Sequence, residues 1–167
     1  MRNNSSIVLA LSLAALPLAA SAQALLTERN ISFAAAHDAA VAALEQCRKD
    51  GHHVTVTVLD RSGRTRVVLH DDGTNPHTIE NSLRKAYTSL TFRVPSGDFG
   101  KRLTGTPTLV GLLSLEKITT LEGALPIFAG KDLVGSIGVS GAPGGEKDAV
   151  CAQAGIDRIA KGLGAGG

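Results

Sequence analysis

The chain has 167 residues, with 17 Lys or Arg against 15 Asp or Glu, so its formal net charge is only +2. This near-neutral balance, with four Phe, one Tyr and no Trp, argues against nucleic-acid and carbohydrate binding, because phosphates attract basic patches and bases or sugars stack on rings. The two cysteines form no C-x-x-C motif, which excludes thioredoxin-like redox chemistry and covalent haem attachment.

The N-terminus has the pattern of a secretory signal peptide. Arg2 provides a short positive region, residues 7–20 are almost uninterruptedly apolar, and an Ala-Ser-Ala cleavage pattern follows. The apolar run is shorter than the roughly 20 residues of a membrane span, and no other stretch is long enough. We therefore predict that residues 1–22 are a signal peptide. Residues 23–167 would then form one periplasmic or secreted domain without a membrane span.

A helix and a hairpin open the predicted domain. Thr27 is the expected N-cap of a helix that runs to about Lys49, because apolar residues recur there at helical spacing. Residues 54–59 and 64–70 have the composition of two strands, and residues 60–63 have Asp and Gly at the ends of a type I turn. These patterns predict a helix followed by a β-hairpin.

A second helix is predicted after the hairpin. Asn75 and Pro76 suit its N-cap and first position, and Pro95 must follow its end. On its surface, Glu80 can pair with Arg84, four residues further on. Its predicted apolar stripe consists of Ile79, Leu83, Ala86 and Leu90.

The second half of the chain is harder to assign. Residues 96–107 are rich in Gly, Pro and hydroxyl side chains and are predicted to be a loop, and residues 109–115 are apolar but of undetermined type. Three strands and a terminal helix are predicted after them, at residues 118–121, 125–128, 133–139 and 146–161. Because hairpins outnumber parallel crossovers, we predict an α+β domain, with an antiparallel sheet of about five strands and helices packed on it.

The two cysteines, Cys47 and Cys151, lie in the first and last predicted helices. Exported proteins reach an oxidising compartment, where a structural disulfide is expected. The alternative is two buried thiols, because free Cys acts readily as a small core residue. We expect the two helices to lie side by side on one face of the sheet, and therefore predict that the cysteines are joined.

Two of the five histidines could face one cleft. His70 ends the second strand and His77 begins the second helix, although a surface or capping role is as consistent with either one. No Ser-His-Asp, G-x-S-x-G, H-E-x-x-H or zinc-type pattern is recognisable. The residues alone thus indicate an exported α+β domain with a histidine-lined cleft and no recognisable catalytic apparatus.

Three specific sequence blocks follow one another along the chain. They are VLDRSG at residues 58–63, DGTNPHT and RKAYT within residues 72–88, and GVSGAPGG at residues 138–145, which leads to the second cysteine. With these blocks the chain resembles the GlcG/HbpS-like family of haem-binding and small-ligand proteins. The resemblance implies a profilin-like fold, with a five-stranded antiparallel sheet flanked by helices, and assembly into homo-oligomers.

The resemblance also implies haem or another small molecule as the ligand. Arg84, Lys85 and Tyr87 then become candidate cofactor-binding residues beside His77 and His70. Only His and Tyr87 remain as candidate iron ligands, because the mature chain has no Met and a disulfide withdraws both thiolates. His77 is the first choice, since the positive end of the helix dipole keeps its ring neutral, and His70 is the reserve. Arg84, two helical turns beyond His77, could meet a haem propionate.

These observations leave three hypotheses for the function. The first is a non-enzymatic haem-binding sensor or carrier. The second is an enzyme or accessory subunit that acts on a small hydroxy acid such as glycolate, and the third is a scaffold for a protein partner. The lack of a recognisable triad or metal cluster favours the first hypothesis over the second.

Overall fold

A computed structural model describes residues 25–164, so the predicted signal peptide at residues 1–22 lies outside the described residues. Within residues 25–164, no helix is long and apolar enough to cross a membrane. The elements are α1 (Phe33–Lys49), β1 (Thr55–Asp60), β2 (Thr65–His70), α2 (His77–Phe92), α3 (Ser96–Gly105), a 3-10 helix (Pro107–Ser114), β3 (Ala124–Ala129), β4 (Asp132–Ser140) and α4 (Gly145–Gly164).

The four strands found in residues 25–164 form one antiparallel sheet in the order β2-β1-β4-β3. Every residue of β1 is buried, because α1 and α4 cover one face of the sheet and α2 covers the other. In the register, Val58 of β1 lies between Val67 of β2 and Ile137 of β4. The predicted α+β architecture is therefore confirmed, with four strands where about five were expected.

The missing strand is the one predicted at residues 118–121. This segment does not join the sheet. Ile118 instead packs with Phe99 and Leu103 in a small separate core, and the Thr119 N–H donates a hydrogen bond to Oγ1 of Thr88 at 3.0 Å. Ile118 is thus buried against helices, whereas Leu121 at the end of the segment is exposed.

Helices α1 and α4 lie side by side, as predicted. They approach so closely that a Cβ on Gly155 would lie 2.5 Å from the carbonyl oxygen of Ala39. At this contact Cys47 and Cys151 form a disulfide, with 5.5 Å between their Cα atoms. The predicted disulfide is confirmed, and the alternative of two free thiols is wrong. The structure also moves the start of α1 to Phe33, with Ser32 in place of Thr27 as its N-cap.

Small polar side chains join α2 to the sheet. Thr57 and Ser82 share a hydrogen bond of 2.7 Å between their hydroxyls, and Ser136 donates to the carbonyl of Ala86 at 2.8 Å. The predicted apolar stripe is only partly correct, because Ala86 and Leu90 are buried but Ile79 is exposed. Helix α2 therefore packs through small residues that permit close approach.

The loop predicted at residues 96–107 is instead the helix α3 followed by the start of the 3-10 helix. Its glycines are packing residues, because a Cβ on Gly97 would lie 2.8 Å from the Glu122 side chain and one on Gly100 would lie 2.6 Å from the Thr120 carbonyl. Glycine was interpreted from the sequence as a helix breaker, whereas here it lets residues 120–122 lie against the helix.

Candidate functional site

A cleft of about 260 Å³ lies beside the N-terminal half of α2. His77, Asn81 and Lys85 line it at intervals of four residues, so they form one edge of the helix over about 12 Å. The opposite wall comes from Leu121 and Glu122, before β3, and from the connection between β4 and α4. We call this space the His77 cleft.

A buried ion pair forms the inner end of the His77 cleft. The Lys85 ammonium donates to Oδ2 of Asp148 at 2.7 Å and to the carbonyl of Val139 at 3.0 Å. The other carboxylate oxygen of Asp148 accepts the Ala142 N–H at 3.0 Å. Burial raises the pKa of the Asp148 carboxyl, and the Lys85 ammonium opposes that shift. The pair joins α2, β4 and α4 and fixes the shape of the cleft.

His77 lies at the mouth of the cleft, in the exposed first turn of α2. The helix begins after Pro76 without a side-chain capping hydrogen bond, so the capping role considered for His77 is not realised. Within residues 25–164, its ring makes no hydrogen bond or ion pair. The imidazole is therefore free to coordinate a ligand.

His70 contacts the sheet and does not line the His77 cleft. His70 Nδ1 lies 2.7 Å from Oγ1 of Thr55, which in turn lies 2.6 Å from Oγ1 of Thr78 in α2. Because β2 is the edge strand next to β1, His70 sits one strand further from β4 and does not line the His77 cleft. The expected shared cleft therefore contains His77 alone.

The other predicted ligand-binding residues lie in three different places. Arg84 forms the expected ion pair with Glu80, at 2.6 Å. Lys85 is buried in the His77 cleft. Tyr87 is turned to another side of α2, where it lines a separate pocket of about 380 Å³. Of the five predicted residues, the structure therefore brings only His77 and Lys85 together.

Sequence reasoning missed Asp148 and Asn81 as residues of this site. Asp148 lies in the first turn of α4, and its ion-pair partner Lys85 is 63 residues away in sequence, so no local pattern indicates Asp148 as the partner. The sequence of α2 contains one indication of the ion pair, because Lys85 lies on the same inward face as the small residues Thr78 and Ser82. A lysine on such a face requires a buried acidic partner.

The described part of the chain contains no group of three or more His, Cys, Asp or Glu side chains that could hold a metal ion. His77 would thus be the single protein ligand from this group of residues to any metal within a bound molecule. Single histidine ligation is the arrangement that haem iron uses in many proteins.

Comparison with known proteins gives consistent matches. Residues 31–157 match the family model described as "Haem degrading protein HbpS-like". The fold is similar to a crystal structure of a double mutant of Streptomyces reticuli HbpS, with 39% identity, a TM-score of 0.76 and coverage of 86% of this chain and 97% of that chain.

Two further matches are more distant. The crystal structure of the PduOC:Heme complex has 25% identity and a TM-score of 0.71, over 78% of this chain and 95% of that chain. An uncharacterized 15.0 kDa protein from the dhaT-dhaS intergenic region of Citrobacter freundii is 27% identical over 130 residues, which cover 77% of this chain and 91% of the relative. The resemblance carried by the three sequence blocks is thereby confirmed, and the chain belongs to the HbpS-like family.

Proposed function

We propose that this protein binds haem at the His77 cleft and acts as an exported haem carrier or sensor. The observation that carries the proposal is an exposed imidazole at the start of α2, on the rim of a cleft whose inner end holds a buried cation. The family description and the haem complex of a similar protein support the choice of ligand. Bound haem supplies an iron that a neutral imidazole nitrogen can coordinate.

The residues of the cleft fit this ligand. His77 offers a nitrogen at the rim, and Leu121, which is 50% exposed, offers an apolar surface beside it. Asn81 offers an amide, which here donates to Oγ of Ser140 at 2.9 Å. The second N–H of this amide is thus available to a haem carboxylate close to the candidate iron ligand.

The size of the cleft limits how haem is held. Its volume of about 260 Å³ lies below the roughly 300–1,000 Å³ of pockets that enclose a drug-sized ligand. Haem held there by His77 would therefore remain partly exposed. Such exposure suits a carrier or sensor, which must release its ligand or respond to it.

The export part of the proposal rests on the predicted signal peptide and on the disulfide. Disulfides persist in oxidising compartments and are rare in the cytosol, so the bond between Cys47 and Cys151 supports a periplasmic or secreted location. Fractionation of cells that produce the full chain tests it. Processed protein outside the cytoplasm is expected, and unprocessed protein in the cytoplasm would contradict the proposal.

Haem binding is tested by titrating the mature protein with ferric haem and recording the Soret band. His77→Ala should shift the band and weaken binding. His37→Ala is the matched control, because His37 is exposed on α1 beside Asp38, away from the cleft. His70→Ala tests the reserve ligand and should behave like the control. A loss confined to His70→Ala would contradict the assignment to His77.

Haem breakdown is a second candidate function, favoured by the description of the family that the chain matches. Haem held in such an open cleft would remain accessible to oxygen. The test adds ascorbate to the haem-loaded protein in air and follows the Soret band. If the Soret band of the haem-loaded protein decays faster than that of free haem, and His77→Ala abolishes this decay, the protein is an enzyme. A stable Soret band would instead support a carrier or sensor.

Assembly into homo-oligomers, which the family resemblance implies, remains part of the proposal. Light scattering of the mature protein at micromolar concentration should give a multiple of the monomer mass. A monomer mass under these conditions would contradict it.

A further inference from the structure

The Tyr87 pocket is a second concave site, which the proposed haem site does not use. Its volume is about 380 Å³, and it is enclosed by the turn at residues 61–63, the C-terminal half of α2 and the turn into β4. It shares no lining residue with the His77 cleft. Tyr87 is ten residues beyond His77, about 15 Å along α2 and on a different side of the helix. The pocket must therefore be explained separately.

The lining of the Tyr87 pocket is mainly polar, and its apolar part, which we call the floor, comes from Leu90, Leu133 and Tyr87. Leu90 is buried, and Leu133 packs with it and with the ring of Tyr87 in one small cluster. The turn is close to the ring as well, because a Cβ on Gly63 would lie 3.2 Å from Cε2 of Tyr87. The floor thus offers an apolar surface beside one aromatic ring, over which the Lys117 ammonium also lies at 5.4 Å from the ring centroid, and it suits an apolar ligand body.

The rim of the pocket is positively charged. Arg61, Arg93 and Lys131 line it, whereas Asp132 is the one acidic residue in its lining. Asp132 is already paired with Arg29 at 3.4 Å, and Arg61 reaches Glu28 at 3.4 Å.

Two of these cations are uncompensated within the described part of the chain. Arg93 and Lys131 form no ion pair with any residue in the range 25–164. They approach the pocket from separate elements, the end of α2 and the turn between β3 and β4. Two unpaired cations over an apolar floor favour a ligand with a negative charge and an apolar body.

The backbone of Arg93 gives an independent observation. Arg93 ends α2 in the left-handed conformation, with φ 58° and ψ 32°, and it is the only non-glycine residue with positive φ in residues 25–164. Glycine usually fills this position, because side chains disfavour the conformation. The negative end of the helix dipole accounts for a cation here, but it does not account for Lys131 on a different turn. A strained residue that brings a charge to a pocket indicates a functional constraint.

We propose that the Tyr87 pocket binds a small organic acid, with its apolar or aromatic body on Leu90, Leu133 and Tyr87 and its anionic group between Arg93 and Lys131. The apolar floor distinguishes this class from inorganic anions, which need only charge and hydrogen-bond donors. The site is independent of the proposed haem site, because the residues involved are different.

Benzoate is the probe for this site. Titration of the ¹⁵N-labelled mature protein should shift the amide signals of Gly63, Lys131 and Leu133 in a saturable way at millimolar concentrations. Benzyl alcohol lacks the charge, and acetate and inorganic phosphate lack the ring, so each should bind more weakly than benzoate. Inorganic phosphate as effective as benzoate would overturn the assignment to organic acids, and so would no saturable shift with benzoate.

Variants separate binding from folding. Arg93→Gly/Lys131→Ala removes both unpaired charges at exposed positions and should weaken benzoate binding at least about tenfold, the usual effect of losing a charge-assisted hydrogen bond. Lys49→Ala removes an exposed cation elsewhere and should bind benzoate as the parent does. Equal affinity in the double variant would overturn the proposal.

Arg93→Gly alone gives a further readout. It should raise the melting temperature, because glycine adopts the left-handed conformation without strain, and yet weaken benzoate binding. Arg93→Lys should retain most of the binding. The double variant should keep the haem affinity of the parent, so a failure of the haem proposal and a failure of this one can be distinguished.

Discussion

The ammonium of Lys85 lies 2.7 Å from Oδ2 of Asp148, and both side chains are almost completely buried. Lys85 also donates to the Val139 carbonyl, while Asp148 accepts the Ala142 N–H. These two buried charges are tolerated only because each group is paired and hydrogen-bonded. This contact joins the middle of α2 to the start of α4 and closes the inner end of the His77 cleft.

Breaking this pair on one side should be costly. Lys85→Met leaves the Asp148 carboxylate buried without its cation, and we expect the free energy of unfolding to fall by about 3–5 kcal/mol in urea denaturation. Lys49→Met, at an exposed position, should change it by less than about 0.5 kcal/mol. Lys85→Met/Asp148→Asn should recover part of the loss, because Asn is neutral and still accepts the Ala142 N–H. Equal stability of the two lysine variants would contradict a buried ion pair.

The contact between α2 and β4 leaves no room for a side chain at Gly138. A Cβ there would lie 2.7 Å from the Ala86 nitrogen and still closer to the Ser82 carbonyl oxygen. We expect Gly138→Ala to lower the free energy of unfolding by about 1–3 kcal/mol, the usual cost of overpacking. Gly105→Ala is the control, because a Cβ on Gly105 would have no atom of another part of the chain within 4 Å. Similar thermal midpoints for both variants would show that α2 and β4 leave room for a Cβ at Gly138, which would contradict this prediction.

The disulfide closes a covalent loop that contains most of the domain. Cys47 and Cys151 are separated by 104 residues, and on the chain-entropy model such closure contributes about 4–5 kcal/mol. Reductant should therefore lower the unfolding midpoint of the parent protein but not that of Cys47→Ala/Cys151→Ala. Two alkylatable thiols in the intact mass of the non-reduced mature protein would contradict the bond.

Acid should weaken the contact between α1 and the end of β2. Hydrogen bonds from the Arg48 guanidinium, together with those from the Asp72 N–H and His53, lower the pKa of the Asp71 carboxyl from 3.8 to about 2. A carboxyl with a lowered folded-state pKa stabilises the fold above its unfolded pKa, and this contribution is lost as pH falls toward about 2.

The matched variant for this contact is Asp71→Asn, which cannot ionise. We expect the parent to be more stable than this variant near neutral pH, and the difference to shrink between about pH 4 and pH 2. Chemical denaturation across that range measures it. A difference that stays constant or grows toward low pH would contradict the lowered pKa.

Local turn chemistry made part of this fold predictable. The hairpin turn follows from Asp60, whose carboxylate accepts the N–H groups of Ser62 and Arg64, and from Gly63, which has φ +77°. The start of α2 was predictable from Asn75 and Pro76, because those signals lie within a few residues. The position of His77 at the start of α2 was predictable for the same reason.

What could not be predicted depends on contacts between distant segments. The helix α3 was missed because its glycines at 97 and 100 accommodate residues 120–122, a contact that composition does not reveal. The division of the predicted ligands between two sites has a similar cause. Tyr87 and His77 lie on different sides of the same helix. The turn at residues 61–63 forms a pocket with Tyr87, whereas the connection between β4 and α4 forms the cleft with His77.

The most direct test of the central claim is the coordination of ferric haem by His77. His77→Gly should lose the Soret position of the parent complex, and added imidazole should restore it, because a free ring can occupy the space left by the side chain. His37→Gly, treated in the same way, should keep the parent spectrum and should not respond to imidazole. A His77→Gly protein that binds haem with the parental Soret position and affinity, without imidazole, would contradict the account.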